Sequence, residues 1–257
     1  MDWYIYPLVI AAGFACGFIN TLAGSGSLIT LPLLIFLGLP ANVANGTNRV
    51  AILLQTAVGT WSFHQQGVLH LKRGLILALP AIVGAVLGAQ VAVNLDERML
   101  RHAIGVLMLV MFVILLVRPK RWLQGHQGLT DKPVSVVQLL VFFAIGFYGG
   151  FIQAGVGLFL LAGLVLGAGF DLVKANAVKV LINLVFTVFA LGVFLLNDQV
   201  DWFVGLILAA GNMLGAWVAA RMAVQRGAAF VRWLLIAVVL LSAAVLLGVP
   251  ELIKRLL

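Results

Sequence analysis

Arg49 and Lys179 carry the first chemical signal in this chain. Each lies inside an apolar run, 42–63 for the arginine and 173–196 for the lysine, and each has amides within two turns: Asn45 and Asn48 in one case, Asn176 and Asn183 in the other. A charge inside an apolar segment is costly and persists where function requires it. Two uses fit these residues. Either the long side chains snorkel toward an interface from near a helix end, or they hold an anion, and their recurrence at matched depth in two places argues for the anion.

Glycine-broken stretches strengthen that argument. AGSGS at 23–27 and AGVG at 154–157 each lead directly into a short apolar run. Backbone N–H groups left free at the start of a helix, together with the positive end of its dipole, suit an anion. Gly24, Ser25, Gly26 and Ser27 form the first tip, with two hydroxyl donors; Gly155 and Gly157 form the second, where Val156 and Leu158 replace the serines. Glycines also serve close helix packing in membranes, which is the use expected of Gly84 and Gly88. Asn20 and Gln153 stand just before the two tips. Their amides can donate to an oxyanion or bond one helix to another.

What is missing narrows the function. The eight acidic residues, Asp2, Asp96, Glu97, Asp131, Asp171, Asp198, Asp201 and Glu251, fall at segment ends or in loops, whereas cation carriers and proton pumps keep a carboxylate in the membrane. His64, His70, His102 and His126 are scattered near loops without metal-ligand spacing, so no metal and no cofactor is expected. No HExxH, paired acids or Ser-His-Asp set is present, and an enzyme is not expected. Cys16, the one cysteine, sits in an apolar stretch and reads as packing.

These residues must be positioned by membrane helices. The chain is 63% hydrophobic and 9% charged, with a mean hydropathy of +1.17, against about a quarter charged in soluble chains. The net charge of +8 comes from Lys and Arg in loops and at helix ends, which points to membrane topology and not to nucleic acid. Trp3, Tyr4, Tyr6, Trp61, Trp122, Trp202 and Trp233 suit interfacial belts. The first apolar run lacks a basic leader and reads as a retained helix.

Ten segments follow, 5–22, 27–38, 42–63, 74–93, 100–117, 134–153, 158–169, 173–196, 202–221 and 229–248, the second and seventh too short for a comfortable crossing. They are the return arms of broken hairpins. The run GLILA at 74–78 recurs at 205–209, an offset of 131 that also maps Ala44-Asn45 onto Ala175-Asn176, Thr56 onto Thr187 and Gly84-Ala85 onto Gly215-Ala216. The expected architecture is therefore all-α and polytopic, a duplication of two five-segment units: residues 1–117, a linker at 118–133, and residues 134–257.

If each hairpin returns to the side it left, one face receives Lys72, Arg73, Arg118, Lys120, Arg121, Lys132, Lys174, Lys179, Arg221, Arg226 and Arg232, and the other keeps Arg49, Arg98, Arg101, Lys254 and Arg255. Eleven against five is the bias of a cytoplasmic and an external face. Both termini are then outside, the linker is inside, and the second unit enters the membrane inverted. Duplicated transporters of this kind hold substrate where the two copies meet.

The segment GFINTLAGSGSLITLPLLIFLGLPANVANGTNRVAILLQTAVGT, 17–60, and its weaker echo at 149–184, resemble the sulfite exporter TauE/SafE family of membrane permeases, a likeness covering nearly the whole chain. Its most specific pieces are NxxAGSGS and ANGTNR. The resemblance implies a bacterial inner-membrane transporter of sulfur-containing anions such as sulfite, sulfoacetate or other organosulfonates. Alternating access at the two tips, with Arg49 and Lys179 enclosing the anion, is the mechanism expected; an anion channel and an ion-coupled importer are the alternatives. Expected partners are a small anion and the lipid bilayer.

Overall fold

The computed structural model describes residues 5–104, 106 and 134–246, and every regular element among them is a helix. These are α1 (Ile5–Leu22), α2 (Ser27–Phe36), α3 (Ala41–Gln65), α4 (Leu71–Asn94), α5 (described over 97–104), α6 (Val136–Phe151), α7 (Val156–Ala162, continued by a π-turn at Gly163–Gly167), α8 (Leu172–Leu196) and α9 (Trp202–Leu246). Gly227, with φ of 70°, divides α9 into two helices, as the separate runs 202–221 and 229–248 require. The expected linker, most of the run 100–117, and Trp3, Tyr4, Trp122 and His126 lie outside the described residues.

Local chemistry sets the boundaries. Asp171 caps α8 by accepting from the Val173 and Lys174 amides, and Ser135 and Gln138 form a reciprocal capping box on α6. The left-handed turns that break the two hairpins fall on Gly24 (φ 81°) and Gly155 (φ 76°), where a side chain would be strained. The seventh segment starts at Val156 and not at 158, because the left-handed turn falls on Gly155 and Gly157 is already helical. Among the described residues, four helices are long and apolar enough to cross a membrane: Ile5–Leu22, Leu71–Asn94, Leu172–Leu196 and Trp202–Val231. Helix α3 matches α8 at 25 residues, about 37 Å of rise, but is more polar and holds its amides and Arg49 in the core.

The short helices fold back along the ones before them. Cys16 on α1 meets Thr30 on α2 (3.6 Å), and Gly26 lies against Asn20. In the second hairpin Gly149 faces Val156, Ile145 faces Gly163, and Gln138 donates to the Gly167 carbonyl at 2.6 Å. The return arm thus ends level with the start of α6.

Side-chain pairings also fix helix directions. Gly13 packs on Leu208 and Asn212, and Gly215 on Phe14 and Phe18, so α1 and α9 run parallel. Gly84 on Phe143 and Gly88 on Phe147 and Phe151 make α4 parallel to α6. Thr47 with Asp201 and Gln66 with Ala220 align α3 with α9, whereas Gly59 on Val180 and Arg49 over Phe194 make α3 antiparallel to α8. Helices α1, α3 and α9 therefore point one way, and α4, α6 and α8 the other. Lys72, Arg73, Lys174, Arg221 and Arg226 gather at one end of the bundle, and Arg98 and Arg101 at the opposite end.

Glycine makes the approach possible. Gly13 and Gly17 on α1, with Gly211 and Gly215 on α9, each pack on the facing helix's backbone along one seam; Gly146 and Gly150 on α6, with Gly84 and Gly88 on α4, do so along another. A methyl on Gly17 would lie 2.7 Å from Asn212 Cα, and backbone cannot step aside as a side chain can. Gly17→Leu gains about 1 kcal/mol of helix propensity but is expected to lose at least about 3 kcal/mol to overpacking. Its melting temperature in detergent falls by roughly 6 °C or more, whereas Gly192→Leu in α8, where nothing lies within 4 Å, keeps the propensity gain without the overpacking and is expected to raise it by about 2–4 °C.

Candidate functional site

A helix that stops inside a membrane protein leaves its last carbonyls without amide partners, and in hydrocarbon no water can supply them. Helix α6 stops at Phe151, so the carbonyls of Gly149, Gly150 and Phe151 are the ones stranded. All three are met from α3. Arg49 donates Nη1 to Gly149 O at 3.0 Å and Nη2 to Gly150 O at 2.5 Å, and Asn45 donates Nδ2 to Phe151 O at 2.9 Å. The same guanidinium reaches Gln153 Oε1 (3.2 Å) and Asn45 Oδ1 (3.5 Å), and stands 4.6 Å from the Phe194 ring centre.

The other break is treated alike. Lys179 Nζ, on α8, donates to the carbonyls of Asn20 (3.1 Å) and Thr21 (2.8 Å) at the end of α1, and to Asn176 Oδ1 at 2.6 Å. Each cation therefore crosses to the hairpin in the other half of the chain. Positive charge at a helix C-terminus is favourable by its dipole, up to about 2 kcal/mol where partly buried. Arg49 stands four residues after Asn45 and Lys179 three after Asn176, so both pairs keep one helix face despite the slip of a residue between the copies.

Arg49 is 0% and Lys179 2% exposed, with their charged ends on core carbonyls, so neither snorkels. The amides before the tips take the helix-to-helix role: Asn20 Nδ2 donates to Gln55 Oε1 (3.4 Å) and Gln153 Nε2 to Asn183 Oδ1 (2.7 Å). The tips themselves meet. A methyl on Gly24 would fall on the Gly157 backbone, and one on Gly157 on Gly24, so close packing is one use of these glycines. Gly26 and Gly155 are buried beside them.

All thirteen expected site residues, Asn20, Gly24, Ser25, Gly26, Ser27, Asn45, Asn48, Arg49, Gln153, Gly155, Gly157, Asn176 and Lys179, are buried. Several buried donors among them and nearby have no protein partner: the hydroxyls of Thr21, Ser25 and Ser27, Nδ2 of Asn48 and of Asn176, and Nε of Arg49. Among the described residues no Asp or Glu is buried, and ion pairs such as Arg101–Glu97 and Lys174–Asp171 stand at exposed helix ends. No group of three His, Cys, Asp or Glu that could hold a metal occurs among the described residues.

Sequence reasoning missed a supporting tier. Gln55 accepts from both Asn20 and Asn212 (3.4 and 3.3 Å), Thr30 donates to Asn48 Oδ1 at 2.8 Å, and Thr187 shares Asn183 Oδ1 with Gln153. The available signal was simple: an amide or hydroxyl interrupting an apolar run needs a partner in hydrocarbon.

The model of the sulfite exporter TauE/SafE family matches residues 9–246, nearly the whole chain. The chain belongs to that family. It is 33% identical to the probable membrane transporter protein ORF9 of Sinorhizobium sp, over 97% of this chain and 95% of that one. It is 28% identical to the probable membrane transporter protein YfcA of Escherichia coli K12, over 95% and 91%, and 28% identical to a probable membrane transporter protein of Haemophilus influenzae, over 89% of each. No solved structure matches it. The protein is thus a multi-pass membrane transporter of the TauE/SafE family and not an enzyme, and the buried tips are its candidate substrate site.

Removing one cap tests the carbonyl account. Asn45→Ala strands the Phe151 carbonyl and is expected to cost about 1–3 kcal/mol, seen as a melting temperature lowered by several degrees. Asn42→Ala, one turn earlier, removes a buried Oδ1 that has no partner and is expected not to lower the melting temperature.

Proposed function

We propose that this transporter exports small sulfur-containing anions, sulfite, sulfoacetate or other organosulfonates, by alternating access through a site at the two hairpin tips. One observation carries the reading: two buried cations with no buried acid among the described residues, beside hydroxyl and amide donors that have no protein partner. A buried donor without a partner costs about 1–3 kcal/mol, and an oxyanion accepts from several at once. The sulfur chemistry itself comes from the family description.

The two copies are read as an inverted repeat, residues 1–117 and 134–257, about the linker 118–133. Support comes from helix directions: α1, α3 and the first part of α9 have α6, α8 and α4 as their counterparts under the 131-residue offset, and each counterpart runs the opposite way. Tips in backbone contact favour a gated carrier over an open anion channel. The concentration of Lys72, Arg73, Lys174, Arg221 and Arg226 at one end supports reading that end as the cytoplasmic side of a bacterial inner membrane, with both termini outside. Outward movement of one negative charge is then driven by about 2.3 kcal/mol per 100 mV.

Arg49 and Lys179 also hold the fold, so their loss cannot isolate binding. Ser25 and Ser27 can: their hydroxyls bond nothing in the protein. In proteoliposomes loaded with labelled sulfite or sulfoacetate, efflux is expected to saturate and to support counterflow. The double variant Ser25→Ala, Ser27→Ala is expected to raise KM about tenfold or more, two hydrogen bonds to a charge being worth at least that, with an unlowered melting temperature. Unsaturable flux points to a channel, and an unchanged KM removes the serines from the site. Cysteines placed in 118–133 are expected to react with impermeant maleimide only from the cytoplasmic side; labelling from outside reverses the orientation.

A further inference from the structure

The environment of the Lys179 ammonium is built wholly of neutral oxygens. Thr21 O (2.8 Å) and Asn20 O (3.1 Å) come from the last turn of α1, and Asn176 Oδ1 (2.6 Å) comes from the preceding turn of α8. The Asn20 carbonyl also receives the Gly24 amide at 2.9 Å, which closes the turn around the site. Asn20 is 6% exposed, Thr21 1% and Asn176 0%. Carbonyl oxygens at the unwound end of a membrane helix, joined by a side-chain oxygen, form the donor set with which interrupted helices coordinate small cations. Here a charge delivered on a four-carbon arm from the other copy occupies it.

We infer that the end of α1 is a monovalent-cation site whose resident occupant is the tethered ammonium of Lys179. The arm supplies the cation at a high effective concentration, so this position stays filled without an ion from solution. Its counterpart at the end of α6 is different in kind. Arg49 lays a planar fork across two successive carbonyls and two amide oxygens, a geometry that a compact ion cannot reproduce. The Lys179 site is therefore the one of the two that accepts a free ammonium-type cation once the arm is removed. This inference does not depend on which anion the protein carries.

Lys179→Ala empties the site and leaves its oxygens in place, whereas Lys179→Met refills the volume without charge. Purified protein is melted in methylammonium chloride at about 50 mM, chosen to exceed a millimolar dissociation constant severalfold, and in tetramethylammonium chloride, which has the same charge and no N–H. Methylammonium is expected to raise the melting temperature of Lys179→Ala by about 3 °C or more over tetramethylammonium, and to move the parent and Lys179→Met by less than about 1 °C. An equal response of Lys179→Ala to the two amines, or of Lys179→Ala and Lys179→Met to methylammonium, overturns the inference. If Lys179→Ala is not recovered in amine-free detergent, the readout is the yield of monodisperse protein extracted in each amine; higher yield in methylammonium supports the site, and equal yields overturn it. No transport substrate enters the experiment, so its failure and that of the sulfur-anion reading are separate results.

Discussion

A membrane helix that stops short must have its terminal carbonyls satisfied by protein, and this structure is organised around that constraint. Breaks at Gly24 and Gly155 leave carbonyls at the ends of α1 and α6 in a region where water is not available. A neutral side chain satisfies one of them, since Asn45 donates to Phe151 O. Arg49 meets the carbonyls of Gly149 and Gly150, and Lys179 those of Asn20 and Thr21. Burial of a cation is expensive in its own right, but here each charge lies at the negative end of a helix dipole and is solvated by carbonyls in place of water. The cost of the break and the cost of the charge offset each other.

That solution forces the two halves of the chain to interlace. Because Arg49 on α3 caps α6 and Lys179 on α8 caps α1, neither hairpin is completed by its own half. The glycine seams repeat the exchange: α1 lies on α9 and α6 on α4, at backbone contact. Only small residues allow two helices to approach so closely, and the parallel alignment of each pair keeps Gly13 and Gly17 in step with Gly211 and Gly215. The tips then meet at Gly24 and Gly157, buried because four helices from both copies surround them.

Much of this was legible in the residues. Apolar run lengths placed the described helices to within a few residues, and glycine with small neighbours marked both breaks, because a left-handed turn in an apolar run has few other solutions. The depth of Arg49 and Lys179 was visible too, but not their partners. Carbonyl acceptors leave no letter in a sequence, so a cation that caps a helix from another copy looks the same as one that snorkels. Gln55 and Asn212 were overlooked for a related reason: their partners are each other and Asn20, which only the packing of α1, α3 and α9 brings together. The start of α7 was misjudged by two residues because Gly157, read as part of the break, already lies in the first turn of the helix.

The capping arrangement also bears on how an anion could both enter and leave the proposed site. A unit charge about 6 Å from a cation in surroundings of effective dielectric about 20 gains roughly 3 kcal/mol, and two such cations with direct salt bridges would bind too tightly for rapid release. Arg49 and Lys179 already direct most of their N–H groups at carbonyls. What they offer an anion is chiefly field, with Arg49 Nε as the one guanidinium donor left over. Direct contact then falls to weaker donors, the hydroxyls of Thr21, Ser25 and Ser27 and the amides of Asn48 and Asn176. Four of those five belong to the first copy. A seat that attracts by field and holds by neutral hydrogen bonds satisfies both halves of the transport requirement, favourable entry and ready exit, and its lopsided donors follow from the loss of the serines at Val156 and Leu158.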